Sequence, residues 1–97
     1  MITRIVKLTF DPTKVSEFLS FLEEFKTQIR NFPGCVMLEF LQEVNKPNVI
    51  MTHSQWQSEK DLEAYRNSEL FKHVWANTKI HFIEKPEAIT LNILDKL

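Results

Sequence analysis

The chain has 97 residues, of which 43% are hydrophobic and 26% are charged, and its formal net charge at pH 7 is −1. Below roughly 150 residues one hydrophobic core is expected, so residues 1–97 are predicted to form a single domain. The longest apolar run falls far short of the roughly 20 residues of a transmembrane helix. The nearly balanced charge gives no electrostatic reason to bind nucleic acid. We therefore expect neither a membrane nor a nucleic-acid partner.

The residues that bind metals or form disulfides are few and dispersed. Cys35 is the only cysteine, which excludes an intrachain disulfide, and His53, His73 and His81 lack the close pairing of zinc-ligand spacings. The N-terminal segment has no apolar stretch of the kind that export signals contain. We therefore expect a cytoplasmic protein that binds no metal and uses no cofactor.

The first third of the chain has the pattern of a strand followed by a helix. Apolar and polar residues alternate over 2–10 with the period of a strand, and Asp11 followed by Pro12 is a helix-start signal. Apolar residues then recur at helical spacing over 15–29. The helix is predicted to end at a Pro-Gly turn, where Gly34, the only glycine, takes a positive φ.

The rest of the chain predicts two paired strands, a broken helix and a last strand. Residues 35–44 and 48–56 have strand composition and are predicted to form a hairpin. Ser58 is a candidate helix cap, and Asn67-Ser68 interrupts the helical pattern before a second piece begins near residue 69. Residues 87–94 have the pattern of a strand. The order β-α-β-β-α-β predicts a ferredoxin-like α+β fold, with a four-stranded antiparallel sheet covered by helices on one face.

Apolar side chains are predicted on both faces of this sheet. Both strands of the hairpin have apolar residues at consecutive positions, and consecutive residues of a strand point to opposite faces. The alternating sets are Val36, Leu38 and Phe40 against Cys35, Met37 and Leu41, and Ile50 and Trp56 against Val49 and Met51. Each large apolar side chain left in water forfeits about 1.5–3 kcal/mol. We therefore predict a homodimer that forms through the helix-free face.

Two stretches of the sequence resemble the antibiotic biosynthesis monooxygenase family. In that family a strand ends in tryptophan, Ser-Glu starts a helix and an A-H/Y-x-x-S-x-x-F segment follows; the matching residues are Trp56, Ser58-Glu59, Ala64-Tyr65, Ser68 and Phe71. The segment 32–35, Phe-Pro-Gly-Cys, is similar to the family's turn between the first helix and the second strand. The resemblance covers nearly the whole chain. It implies a dimeric α/β barrel, in which two ferredoxin-like protomers place their sheets face to face.

Among the activities that the resemblance implies is cofactor-independent monooxygenation of a small aromatic or quinol substrate. Such a reaction needs a base to deprotonate the substrate and an apolar cavity that excludes water. His53, in the middle of a strand, is the candidate catalytic base. Trp56, Tyr65 and Trp75 are the candidate substrate-binding residues. The structural alternative is a hydrogen-bonded interface histidine and three aromatic residues that simply fill the core.

Two further functions stay open at this stage. The first is a binding module, in which the same cavity holds a small apolar ligand without turnover. The second is haem binding, since one branch of the family degrades haem with an asparagine, a tryptophan and a histidine ligand. Val6, Tyr65 and Trp75 stand at the corresponding positions here, which argues against haem and leaves only the neighbouring His73 as a possible ligand.

Overall fold

A computed structural model describes all 97 residues and contains four strands and three α-helices. The elements are β1 (Ile2–Thr9), α1 (Val15–Arg30), β2 (Cys35–Glu43), β3 (Lys46–Trp56), α2 (Glu59–Arg66), α3 (Glu69–Lys79) and β4 (Glu87–Asn92). A single turn of 3₁₀ helix, Pro12–Lys14, precedes α1. The predicted order, with the second helix divided into two pieces, is confirmed.

The four strands form one antiparallel sheet in the order β2-β3-β1-β4. This is the predicted ferredoxin-like arrangement, and α1 packs against β2 and α3 over one face. Within one chain the sheet is open, with β2 and β4 as its edges. None of the helices combines the length and the hydropathy that crossing a membrane would require.

Hydroxyl and carboxylate side chains begin the helices at the predicted places. The carboxylate of Asp11 accepts hydrogen bonds from the backbone N–H of Thr13 at 2.9 Å and from its hydroxyl at 2.8 Å. Ser58 Oγ accepts from the backbone N–H of Asp61 at 3.2 Å, and Ser68 Oγ from that of Phe71 at 3.1 Å. The break between α2 and α3 therefore exists because Ser68 caps a new helix.

Gly34 has the predicted positive φ, at 90°. A second constraint acts at the same position, because a Cβ on Gly34 would overlap the side chain of Asp61. The turn after α1 thus touches the first turn of α2, and only glycine satisfies both the backbone angle and the contact.

The core lies between the sheet and the helices. Its main cluster of buried residues is Leu8, Phe10, Phe18, Leu22, Ile29, Ile50 and Val74. A smaller cluster at the end of β3 consists of Ile2, Cys35, Trp56 and Leu62. Every strand position in these clusters comes from the alternate set that faces the helices.

Cys35 corrects the sequence-based assignment of faces. We predicted that it shares a face with Met37 and Leu41, whereas it is buried on the helix side in the cluster with Trp56. The reason is an irregularity in β2, where Cys35 pairs with Trp56 but Met37 pairs with the adjacent Gln55. The extra residue, Val36, shifts the alternation by one, as a β-bulge does.

The helix-free face carries apolar side chains, as the alternation predicts. Ile5, Met51 and Ile89 lie together on it, and Leu41 pairs with Met51 across β2 and β3. Ile89 is 52% exposed and Leu41 is 45% exposed in the single chain. Exposed apolar side chains therefore share this surface with the charged residues Lys7 and Glu87.

Candidate functional site

A cavity of about 310 Å³ lies between the sheet and the helices. Fourteen of its twenty lining residues are hydrophobic, which makes it suitable for a small apolar ligand. β1, β2 and β3 supply the floor through residues such as Val6, Leu38 and Thr52, and α1, α2 and α3 supply the roof.

A continuous row of aromatic rings forms one wall of the cavity. The ring of Trp56 stacks on that of Tyr65 with centroids 5.1 Å apart, and Tyr65 meets Phe71 edge to face at 5.3 Å. Phe71 stacks on Trp75 at 5.9 Å with an interplanar angle of 10°. The three predicted substrate-binding residues, Trp56, Tyr65 and Trp75, therefore line one cavity together. Their role in binding a substrate stays a prediction.

Trp56 and Tyr65 are held firmly and differ in what they offer a ligand. Trp56 is 1% exposed, and its indole N–H donates to Ser54 Oγ at 3.0 Å, so this N–H is already engaged within the protein. Burial, with a smaller contribution from Cys35, raises the pKa of Tyr65 above its ordinary value. The Tyr65 phenol therefore stays protonated at neutral pH and can form a hydrogen bond to a ligand, but it cannot act as a base.

Two arginines, Arg4 and Arg66, are the only charged residues that line the cavity. Arg4 projects from β1 on the helix side and is half-buried, and its Nη1 donates to Thr90 Oγ1 at 2.7 Å. Arg66 is the last residue of α2 and forms an exposed ion pair with Glu63 at 3.6 Å. Sequence reasoning missed both, although the alternation of β1 places Arg4 in the same set as Ile2, Val6 and Leu8.

The environment of Arg4 is unfavourable to its charge. Burial lowers the pKa of Arg4, the nearby charge of Arg66 lowers it further, and Glu63 opposes these effects. No carboxylate lies within 4.0 Å of Arg4. Arg4 is thus a cation that faces an apolar cavity and a second cation.

His53, the predicted base, lies on the opposite face of the sheet. Its Nδ1 is 3.0 Å from Glu39 Oε1, and its Nε2 is 2.9 Å from the hydroxyl oxygen of Thr3, which itself donates to the carbonyl of Ser54. Both ring nitrogens are therefore engaged on the helix-free face, and His53 does not line the cavity. The structure brings Trp56, Tyr65 and Trp75 together, but it does not bring His53 to them.

The residues that line the cavity also decide whether it could bind haem. The three positions compared with the haem-degrading branch, Val6, Tyr65 and Trp75, all line the cavity, and none is an imidazole. His73 lies outside the cavity, with its ring 5.1 Å from that of Phe25 on α1. The residues present therefore do not fit a haem ligated within the cavity. No group of three His, Cys, Asp or Glu side chains is arranged to hold a metal ion.

Comparison with known proteins agrees with the fold. The family model described as antibiotic biosynthesis monooxygenase matches residues 1–77. The chain belongs to this family. The match includes β1, the Pro-Gly turn and the aromatic segment of α2 and α3, so it covers most of the cavity wall. No curated protein matches the chain significantly by sequence.

Several solved structures are close to this chain in shape and distant from it in sequence. One crystal structure of an antibiotic biosynthesis monooxygenase aligns with a TM-score of 0.91 at 15% identity, over 98% of this chain and 100% of the other. A conserved protein from Methanosarcina mazei Go1 aligns with a TM-score of 0.86 at 22% identity, over 93% and 90%. Rv0793 from Mycobacterium tuberculosis aligns with a TM-score of 0.89 at 17% identity, over 98% and 96%. The TM-scores show a shared fold, whereas sequence identities this low do not indicate a shared substrate.

Proposed function

We propose that this protein is a cofactor-independent monooxygenase that oxidises a small aromatic or quinol substrate inside the cavity. The observation that carries the proposal is an apolar cavity walled by the row of rings from Trp56 to Trp75 in a member of this family. A mostly hydrophobic cavity of about 310 Å³ with aromatic side chains in its wall suits a small aromatic ligand. The apolar walls limit access of water to a reactive, electron-rich intermediate.

The proposed reaction balances without any redox partner other than dioxygen. An ionised phenol carries part of its charge on a ring carbon, and that carbon forms a C–O bond with dioxygen as electrons pass from the ring to oxygen. The same carbon then loses its proton while the O–O bond breaks, and water leaves. The sum is phenol plus dioxygen to quinone plus water. The protein has to bind the ring, favour its anion and keep the site dry.

The source of the ionised phenol is the step that the cavity constrains most. No carboxylate and no imidazole lines the cavity, and the raised pKa of Tyr65 keeps it protonated. The proposal that His53 is the base therefore requires a substrate on the helix-free face or a proton path through the sheet. We favour a substrate that loses its proton to solvent at the cavity mouth, where positive charge stabilises the anion.

We also propose a homodimer in which a second copy covers the helix-free face. Support comes from the exposed apolar residues Leu41, Ile89 and Leu91 on that face. We expect sedimentation velocity to show a dimer at micromolar concentration, and we expect Ile89→Glu to shift it towards monomer. A monomer in the unaltered protein at that concentration would remove this part of the proposal. The cytoplasmic location stays a prediction.

A second candidate function is non-catalytic binding of a small aromatic ligand. The observation that favours it is the absence of an acid–base residue on the cavity wall. Binding needs only the rings and the two arginines, whereas oxygenation also needs a route for the proton. Measured turnover therefore distinguishes the two functions.

An oxygen electrode with a panel of hydroquinones and naphthols tests the proposal. We expect dioxygen uptake matched one to one by quinone formation, and unaltered by catalase, which would regenerate half of any dioxygen released as peroxide. Trp75→Leu should lower the rate because it removes one end of the ring wall. His53→Ala is the matched variant on the opposite face and should leave the rate unchanged. Ligand binding without any uptake across the panel would establish the binding function instead.

A further inference from the structure

Arg4 and Arg66 supply the positive charge of the cavity. We propose that they form an oxyanion subsite, which binds an aromatic substrate by its phenolate oxygen and favours ionisation of the bound phenol. The inference rests on the proposed function, because it names the chemical class of the substrate in the same cavity. It also assigns to two arginines the effect that we predicted for a histidine base.

The first support is the unused hydrogen-bonding capacity of Arg4. A guanidinium has five N–H donors, and the one side-chain bond that Arg4 forms is the 2.7 Å bond from Nη1 to Thr90 Oγ1. Thr90 holds the guanidinium in place from the neighbouring strand β4, which pairs Thr90 with Arg4 in register. Arg4 lines the cavity, and none of the other residues that line it is a carboxylate, so the cavity wall itself supplies no anionic acceptor for the remaining donors.

The second support is electrostatic. Two cations line the same apolar cavity, and the charge of Arg66 adds to the effect of burial in lowering the pKa of Arg4. An anion between the two guanidinium groups would replace this repulsion with two attractions, which are stronger in a low-dielectric site than in water. Glu63 supplies partial compensation from the solvent side, since its side chain is 61% exposed and does not line the cavity.

The third support is the position of the two arginines beside the ring wall. Arg66 follows Tyr65 directly, and the aromatic row continues from Tyr65 to Trp75. A ligand that stacks against this row can therefore direct a ring substituent towards Arg66 and Arg4. Opposite charges within a few ångströms typically lower the pKa of an acidic group by about 1–3 units. A phenol bound there would ionise at a lower pH than it does in water.

Spectrophotometric titration of 4-nitrophenol tests this subsite, because its phenolate absorbs visible light and its phenol does not. With saturating protein we expect the apparent pKa of 4-nitrophenol to fall by about one unit, which means about tenfold tighter binding of the phenolate than of the phenol. Arg4→Gln and Arg66→Gln should each remove most of this shift. Arg4→Lys keeps the charge and should retain part of it. Lys60→Gln removes an exposed positive charge from α2, the helix that carries Arg66, and should retain the full pKa shift of 4-nitrophenol.

A neutral ligand of the same shape separates charge from packing. We expect 4-nitroanisole, measured by quenching of tryptophan fluorescence, to bind the unaltered protein and both glutamine variants within about twofold of one another. Loss of 4-nitroanisole binding in both variants would show that the arginines support the cavity wall, and would overturn the inference. An unshifted pKa of 4-nitrophenol, or no binding of either compound to the unaltered protein, would overturn it too.

The outcomes for the subsite and for the monooxygenase are distinguishable. A shifted pKa without dioxygen uptake for any hydroquinone would retain the oxyanion subsite and reject the catalytic function. Dioxygen uptake that is unchanged in Arg4→Gln and Arg66→Gln, together with an unshifted pKa, would retain catalysis and reject the subsite.

Discussion

The two faces of the sheet differ in how their charged groups are accommodated. On the helix-free face two basic side chains of the sheet lie near carboxylates, since Lys7 is 3.8 Å from Glu87 and His53 is 3.0 Å from Glu39. On the helix-covered face Arg4 has only the hydroxyl of Thr90, although its surroundings are less hydrated. Arg4, the cation without a carboxylate partner, lies on the helix-covered face, so this is the face that we expect to bind an anion.

The largest expected effect comes from truncating the ring wall. Trp56 is 1% exposed and belongs to both the core and the cavity, so Trp56→Ala should lower the free energy of unfolding by about 3–5 kcal/mol. Gln55 is the adjacent residue on the opposite face, and Gln55→Ala should change the free energy of unfolding by no more than about 0.5 kcal/mol. Urea denaturation at equal protein concentration measures both. Equal effects would mean that the two faces contribute alike to folding.

A pH-dependent effect should separate the cavity from the outer face. The pKa of Tyr65 is raised in the folded protein, while in the unfolded chain it ionises near about pH 10. The stability that the protonated Tyr65 phenol contributes is therefore complete below that pH. It is lost as the pH rises towards the pKa of Tyr65 in the folded protein. The loss can reach about 1.4 kcal/mol per pH unit. Between pH 9 and 11, Tyr65→Phe should show a shallower decline in urea midpoint than the unaltered protein.

The comparison of the faces also shows what the sequence could and could not predict. Strand alternation and helix caps placed every element, because those signals are local and Ser58, Ser68 and Gly34 act within a few residues. Cys35 was assigned to the wrong face because a bulge depends on pairing with β3, which the sequence of β2 does not contain.

The candidate site was only partly predictable for a similar reason. Trp56 and Tyr65 were found because the family pattern names their positions, whereas Trp75 lies outside that pattern and was chosen as an aromatic residue of the following helix. His53 was chosen by residue type, and nothing in its neighbours along the chain shows that Glu39 and Thr3 engage it across β2 and β1. Arg4 carried a usable signal, since a charged residue in the inward set of β1 calls for an explanation.

The interaction between His53 and Glu39 on the helix-free face should contribute little to the free energy of unfolding. The side chain of His53 is 28% exposed and that of Glu39 is 54% exposed, so solvent screens their interaction. His53→Ala should lower the free energy of unfolding by less than about 1 kcal/mol. A double-mutant cycle with Glu39→Gln measures the coupling between the two residues. A coupling above about 2 kcal/mol would contradict the expectation that solvent screens the interaction between His53 and Glu39.

The smallest expected effect concerns Glu63, the carboxylate that partly neutralises the charge of Arg66. Glu63 partly neutralises Arg66 from the solvent side at 3.6 Å, so Glu63→Gln should leave Arg66 freer to attract an anion within the cavity. We expect 4-nitrophenolate to bind about twofold more tightly, since exposed ion pairs are weak. Glu59→Gln, an exposed change on the same helix with no ion pair, is the control and should have no effect. Weaker phenolate binding in Glu63→Gln would mean that Glu63 positions Arg66 for the ligand, because loss of a mere competitor cannot reduce the attraction of a cation for an anion.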